Sequence, residues 1–435
     1  MPTDSSAALT ALRRGDLAGA RELRLPGLAE FPREIFDLAD TLEILDLSNG
    51  SLTALPEDIG RLANLRALFC SGNRFERLPP ALGGCAALSQ IGFRGAGMRE
   101  VPAEALPSQL RWLTLTDNRI ERLPAEIGER PLLQKLMLAG NRLDRLPETL
   151  AGAPNLELIR LSANQFDALP IWLSQLPRLA WIAWAGNPFE RAPEAASAAL
   201  VSWHDIDVGA LLGEGASGRV YRASWRKVPG DAPLPAALKI FKGAMTSDGL
   251  PEREMLACLA AGEHPNLTAA LGRLHDHPEG AQALLTPLTP AHWRVLAGPP
   301  SLESCSRDVY DASLRLDVGT VKAIARNIGA AAAHLHGRGL LHGDLYAHNT
   351  LWDGDAGAAT LSDFGAACAL PAGNAGDAWR RVEVRAFGLL LGELVERVAD
   401  MSAEREQLRL LAEACAHSRP QSRPLMEEAL EALRR

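Results

Sequence analysis

Asp344, Asn349 and Asp363 are the residues of this chain best equipped for chemistry. The first two lie five positions apart in His342-Gly343-Asp344-Leu345-Tyr346-Ala347-His348-Asn349, and the third follows in Ser362-Asp363-Phe364-Gly365. A carboxylate to take the proton of a hydroxyl, with an amide and a second carboxylate to hold Mg²⁺, is what phosphoryl transfer needs. Two surface loops rich in Asp and Asn would show the same residues, so the reading needs support upstream. Ala236-Ala237-Leu238-Lys239-Ile240-Phe241 supplies some of it: a strand of buried type carrying one charge. A lone buried ammonium is costly, so Lys239 requires anionic partners. Gly213-Glu214-Gly215-Ala216-Ser217-Gly218 reads as strand, glycine turn, strand. Its glycines let backbone lie close over phosphates. A dinucleotide-binding turn of the same spacing would open a helix, whereas Val220-Tyr221-Arg222-Ala223 continues as strand.

Together these stretches resemble the eukaryotic-like protein kinases. The resemblance implies that Lys239 holds ATP phosphates and pairs with a glutamate on the next helix, Glu254 or, alternatively, Glu252. Asp344 would orient the hydroxyl and accept its proton, while Asn349 and Asp363 would bind Mg²⁺. Gly213, Glu214, Gly215 and Gly218 would cover the phosphates, with Val220 against adenine. Ala283-Leu284-Leu285-Thr286-Pro287-Leu288 resembles the hinge strand, which makes Thr286 and Leu288 adenine contacts and Leu285 the gatekeeper. Residues 289–318 carry no interpretable motif. Val321, Ile324, Ile328, Ala331 and Leu335 have helical spacing and would deliver the chain to the catalytic loop.

The chain departs from the family in several places. Gly343 stands where an arginine usually precedes the catalytic aspartate, which argues against switching by a phosphorylated activation loop. Tyr346 stands where many serine/threonine kinases have lysine, and His348 where tyrosine kinases often have arginine. Glu383 replaces an aspartate of the helix that follows the activation segment. Arg423 resembles the family's late arginine but lacks its usual glutamate, unless Glu383 or another acid serves. Only twenty residues separate Asp363 from Glu383, with no Ala-Pro-Glu between them.

The first half of the chain has a different order. Leucine-led copies begin at Leu42, Leu65, Leu88, Leu110, Leu133, Leu156 and Leu179, 22 or 23 residues apart, after a degenerate copy around Leu23 and Leu25. This is the leucine-rich repeat signature. Leu136 and Leu138 would alternate inward on a short strand, Asn141 would join a ladder of backbone bonds, and Leu146-Pro147 would close the convex side. Gly50 and Ala96 interrupt the ladder, and the 22-residue coil from Leu88 to Gln109 predicts a local irregularity. Outward strand positions Ile44, Phe69, Trp112, Met137, Leu158 and Trp181 form an apolar concave row. Phe69, Trp112 and Trp181 are the expected anchors for a protein substrate or partner, unless the kinase domain covers them.

The expected fold class is α/β: a leucine-rich repeat solenoid (horseshoe) followed by an α+β two-lobed protein kinase-like domain. The expected divisions are a cap over 1–19, repeats over 20–191, a linker or C-terminal cap over 192–205, and a kinase domain over 206–435. The whole resembles bacterial proteins with an N-terminal repeat array. The abundance of Ala, Leu, Arg and Gly points to a GC-rich genome. A net charge of −8 with interspersed signs gives no footprint for nucleic acid. The absence of a long apolar run argues against a membrane, and of an early one against secretion. Six scattered cysteines suggest a reducing, cytoplasmic setting, with export into a host compatible. The implied function is transfer of the ATP γ-phosphate to a protein hydroxyl, Ser/Thr favoured over Tyr, with the repeats binding substrate or partner. A pseudokinase scaffold and a kinase of small molecules are the alternatives that the departures motivate.

Overall fold

The computed structural model describes residues 5–193, 200–215, 217–228, 230–242, 245–268 and 270–434. The chain divides into two compact units, Met1–Leu176 with Asn187–Phe189, and Pro177–Gly186 with Glu190–Arg435.

The first unit opens with helix α1 (Ser5–Arg13), which buries Leu12. Three-residue strands then recur from Glu22–Arg24 to Leu158–Arg160, each paired in parallel with the next. The middle residue of each strand, such as Leu45, Leu113 or Leu136, is fully buried. A single inward side chain per strand cannot form a core alone, so the coils stabilise one another by stacking. On the convex side the chain makes short 3₁₀ turns entered through a proline, as at Pro124 and Pro147.

Asn141 explains the spacing of the repeat. Its Nδ2 donates to Leu115 O and Leu138 O at 2.9 Å, and its Oδ1 accepts from Ile120 N at 3.1 Å. Asn73, Asn118, Asn164 and Asn187 make the same kind of bridge. At Gly50 the ladder is interrupted by close backbone approach, since a Cβ there would lie 2.2 Å from Leu28 O. The 22-residue coil leaves the strand register unbroken, with Gln90 opposite Trp112 as Ala67 is opposite Gln90. The missing residue is therefore absorbed between strands. Along the predicted concave row, Ile44, Phe69 and Trp112 are half-buried, while Met137, Leu158 and Trp181 are buried.

In the second unit a six-stranded sheet runs in the order Ile206–Glu214, Gly218–Trp225, Leu234–Phe241, Ala283–Pro287, Gly272–His275, Leu200–Ser202. The last pair is parallel and the others are antiparallel. Residues 192–205 were expected to link or cap. Instead Leu200–Ser202 belongs to this sheet, with Val201 in its core. Residues 194–199, where a capping helix was expected, lie outside the described residues.

Helix α2 (Pro251–Ala261) starts with Pro251 in its first turn, where a missing N–H costs nothing. Helix α3 (Val318–Gly337) is capped by Asp317, which accepts from Thr320 N at 2.8 Å. Val321, Ile324, Ile328, Ala331 and Leu335 are all fully buried along it, as their spacing requires. Helix α4 (Asn374–Val395) is mostly buried, and α5 (Ala403–Cys415) and α6 (Met426–Arg434) pack around it and α3. Among the described residues no helix is long and apolar enough to cross a membrane.

Replacing Asn141 with Ala strands buried backbone groups, each worth about 1–3 kcal/mol. Thermal melts should therefore show Asn141→Ala less stable by a few kcal/mol. Restoring the repeat's asparagine with Gly50→Asn should also lower the melting temperature, whereas a ladder governed by side-chain type alone would be strengthened.

Candidate active site

Strand register brings the candidate residues together. The hairpin of Thr350–Trp352 with Ala359–Leu361 pairs Thr350 with Leu361. Asn349 and Ser362 are the residues just outside that pair, and both Ser362 N and Ser362 Oγ donate to Asn349 O at 2.8 Å. Asn349 thus stands one residue from Asp363. Its Nδ2 also donates to Asp344 O at 2.9 Å and to Asp344 Oδ2 at 2.8 Å. That leaves the amide oxygen as the atom able to meet a cation.

Asp363 has φ +63°, in the left-handed region. For a residue other than glycine this costs about 1 kcal/mol or more and marks functional turns. The turn tucks Phe364 into the core, with its ring 5.5 Å from that of His342. The His342 Nε2 lies 3.2 Å from Ser362 O, a second tie between the two loops.

Across the cleft, Lys239 Nζ pairs with Glu254 Oε1, and both side chains are largely buried. Glu252, on the same helix, is exposed. The alternative left open by the sequence is therefore resolved by helix geometry: the two glutamates fall on different faces of α2. Burial alone would lower the Lys239 ammonium, but Glu254 and Asp363 outweigh it and hold it above its ordinary value. Burial pushes the Glu254 carboxyl up to about 7, against the pull of Lys239 and with the help of Asp363. Its Oε2 is buried with no hydrogen-bond partner among the described residues.

Two adjoining cavities share Val220, Lys239 and Asp363. One, of about 180 Å³, is lined by Gly215, Ser217, Gly218, Thr246, Asp248 and Gly365 as well. The other, of about 550 Å³, adds Leu212, Gly213, Leu284, Thr286, Leu288 and Leu351. A Cβ on Gly213 or Gly215 would meet no protein atom within 4 Å. Gly218 differs, because a Cβ there would lie 2.5 Å from Ile240 O.

Glu214 does not reach the cleft. Its carboxylate takes hydrogen bonds from Lys242 and Arg219, and the Lys242 bond is the main reason that its pKa falls below the ordinary value. Leu285, expected as gatekeeper, is buried in the core of the six-stranded sheet. Strand alternation decides this: Leu284 and Thr286 share the face toward the cleft. Thr286 still pairs with Ala237 in the ladder, and Leu288 is the first cleft residue beyond the strand that ends at Pro287.

The loop that carries Asp344 is held by α4. Glu383, fully buried, accepts from Gly343 N at 2.7 Å and meets His336 Nε2 at 2.8 Å. Burial opposes its ionisation, but His336, His342 and the Gly343 amide hold its pKa below the ordinary value. Among the described residues no carboxylate pairs with Arg423. It donates to three carbonyls, His417 O, Arg381 O and Pro177 O, at 2.7–3.1 Å.

Sequence reasoning missed Asp308, which lies in the stretch without motifs. It accepts from His348 N at 3.0 Å and meets His348 Nδ1 at 2.7 Å. Burial works against the His348 cation, but Asp308, Asp344 and Asp363 raise its pKa above the ordinary value. Asp248, on the rim of the smaller cavity, was also missed. No local pattern marks either acid.

Among the described residues no group of three or more His, Cys, Asp or Glu could hold a metal ion by itself. Asn349 and Asp363 offer two hard oxygen donors. That suits a Mg²⁺ ion that takes its other ligands from phosphates and water.

The chain carries a leucine-rich repeat region followed by a protein kinase domain. Residues 108–166 match the family described as leucine rich repeat and residues 206–387 the one described as protein kinase domain. Human Kinase suppressor of Ras 2 is 26% identical over 171 residues, 38% of this chain and 15% of that protein. CBL-interacting protein kinase 29 of Oryza sativa subsp. japonica is 31% identical over 174 residues, 40% of this chain and 37% of that protein. The chain spans well under half the length of the curated relatives it matches. A solved leucine-rich repeat protein of Leptospira interrogans is 28% identical, with TM-score 0.36, covering 39% of this chain and 43% of that one.

The raised Glu254 pKa has a consequence for stability. Folding contributed by a group with a raised pKa is fully present below the unfolded value of 4.5 and is lost as pH rises through about 7. Denaturant melts of nucleotide-free protein should show wild type losing on the order of 2–3 kcal/mol more than Glu254→Gln between pH 4 and pH 8. Parallel pH profiles would contradict this.

Proposed function

We propose that this chain is an ATP- and Mg²⁺-dependent protein kinase that phosphorylates protein hydroxyls, serine or threonine in preference to tyrosine. The observation that carries the reading is the cleft in which Lys239, Glu254 and Asp363 meet beneath a glycine turn with room for phosphates.

In this reading Lys239, fixed by Glu254, holds the α- and β-phosphates. Backbone at Gly213, Gly215 and Gly218 covers them, and Val220, Thr286 and Leu288 border the base. Asn349 and Asp363 hold Mg²⁺, which when bound offsets the negative charge of the phosphate oxygens. Asp344 accepts the hydroxyl proton as the hydroxyl oxygen bonds to the γ-phosphorus. The bond from that phosphorus to the bridging oxygen breaks, ADP leaves, and the proton passes to solvent. Positioning and charge neutralisation supply the rate enhancement. Preference for an aliphatic hydroxyl is supported by His348, whose ring is tied to Asp308 where tyrosine kinases often carry arginine.

The repeats are proposed to capture the protein substrate or a partner on the half-buried concave residues Phe69 and Trp112. Trp181 is excluded from that role by its burial. A reducing compartment such as the cytoplasm is supported by six cysteines that are all buried and, among the described residues, form no disulfide.

Incubation with Mg²⁺-ATP, read by phosphosite mass spectrometry, should show phosphoserine or phosphothreonine on the chain or on a protein substrate. Asp344→Asn should cut transfer by about 10²–10⁴-fold while leaving nucleotide affinity within a few-fold. Nucleotide binding by wild type with no transfer would instead favour a scaffold. Phe69→Ala with Trp112→Ala should raise KM for a protein substrate and leave KM for ATP unchanged; equal kinetics would remove the repeats from recognition.

A further inference from the structure

The second unit includes Pro177–Gly186 and Glu190, residues of the last repeat copy. This segment lies directly against the catalytic loop. The Trp181 ring stacks on that of Tyr346 with centroids 4.1 Å apart and planes 7° from parallel. Trp181 Nε1 donates to Leu345 O at 3.0 Å, and the side chain is fully buried. Gly343 has φ +74°, and a Cβ there would lie 2.5 Å from Ile182 O and 2.6 Å from Ala366 O. The glycine that replaces the family's arginine is therefore required by its positive φ and by the approach of this segment and of Ala366.

Further contacts tie the segment to both sides of the cleft. Trp184 Nε1 donates to Ala369 O at 3.2 Å, and the buried Glu190 carboxylate accepts from Ala369 N at 3.0 Å. Ala369 pairs with Leu340, on the short strand that leads into the loop. Glu190 also lies 3.7 Å from Arg253, the neighbour of Glu254 on α2. At the other end, Arg385 Nε donates to Arg178 O at 3.0 Å and Arg423 Nη2 to Pro177 O at 2.8 Å.

We propose that residues 177–186, with Glu190, are a built-in positioning element for the catalytic loop, with Trp181 as its chief positioning residue. They give the loop the order that a longer, phosphorylatable segment after Asp363 would otherwise give. The last repeat copy covers Tyr346 and, together with Ala366 of the short stretch after Asp363, closes over Gly343. Loop order is then a fixed property of the chain and needs no phosphate switch. The kinetic part of the test rests on the kinase reading; the structural part does not.

The test uses the full chain with Trp181→Leu, which keeps apolar bulk but loses the stack and the N–H, and Trp181→Phe, which keeps a stacking ring. Amide hydrogen exchange in residues 343–349 and steady-state kinetics are measured together. In Trp181→Leu, exchange in that loop should rise at least about tenfold with the repeats and the six-stranded sheet still protected. Its kcat should fall about tenfold to a hundredfold with KM for ATP within twofold, and Trp181→Phe should recover most of both. Unchanged loop exchange in Trp181→Leu, or exchange rising throughout the second unit with KM for ATP climbing as kcat falls, would overturn the proposal. If wild type transfers no phosphate, the kinase reading fails, and loop-confined exchange still supports the positioning role while unchanged or uniform exchange still overturns it.

Discussion

A cation buried in a strand must be neutralised, and the cleft of the second unit is arranged around that requirement. Lys239 cannot reach bulk water freely, so Glu254 has to come to it, which fixes the position of α2 against the sheet. Asp363 adds a second negative charge from the opposite wall and lifts the pKa of both members of the pair. The result is one ammonium facing two carboxylates. The same low-polarity surroundings that make the unfilled site costly make each electrostatic contact strong once a ligand fills it.

The second constraint is the course of the catalytic loop. Its backbone is caught between Glu383 below, bonded to the Gly343 amide, and Asn349 alongside, bonded to Asp344. Because Asn349 and Ser362 flank one pair of a hairpin, the loop that bears the acid and the turn that bears Asp363 cannot drift apart without breaking strand pairing. The two loops are thus held by buried side chains bonded to backbone and by strand pairing.

Much of this was legible in the sequence because it follows from periodicity. The inward leucines of the repeat and the buried face of α3 come from counting residues along regular elements, while the choice of Glu254 over Glu252 on α2 waited for the structure. The misreadings came where phase or tertiary contact decides. Leu285 was placed one position out of phase, and a strand sends neighbouring side chains to opposite faces. Glu214 lies in the right loop, yet its exposed carboxylate is taken by Lys242 and Arg219. Trp181 faces outward from its own strand, and nothing local says that Tyr346, 165 positions later, will cover it. Asp308 sits in a stretch with no pattern, and its partner His348 is found only by folding. Arg423 was expected to lack its usual glutamate unless Glu383 or another acid served, and it donates to backbone carbonyls.

The central claim, that Lys239 and Asp363 face one nucleotide and its metal, is tested most directly by crystallography with Mn²⁺ and a non-hydrolysable ATP analogue. The account requires an anomalous peak within bonding distance of the oxygens of Asp363 and Asn349, with phosphate oxygens against Lys239 Nζ. Nucleotide seated elsewhere, or a metal that ignores Asp363, would contradict it.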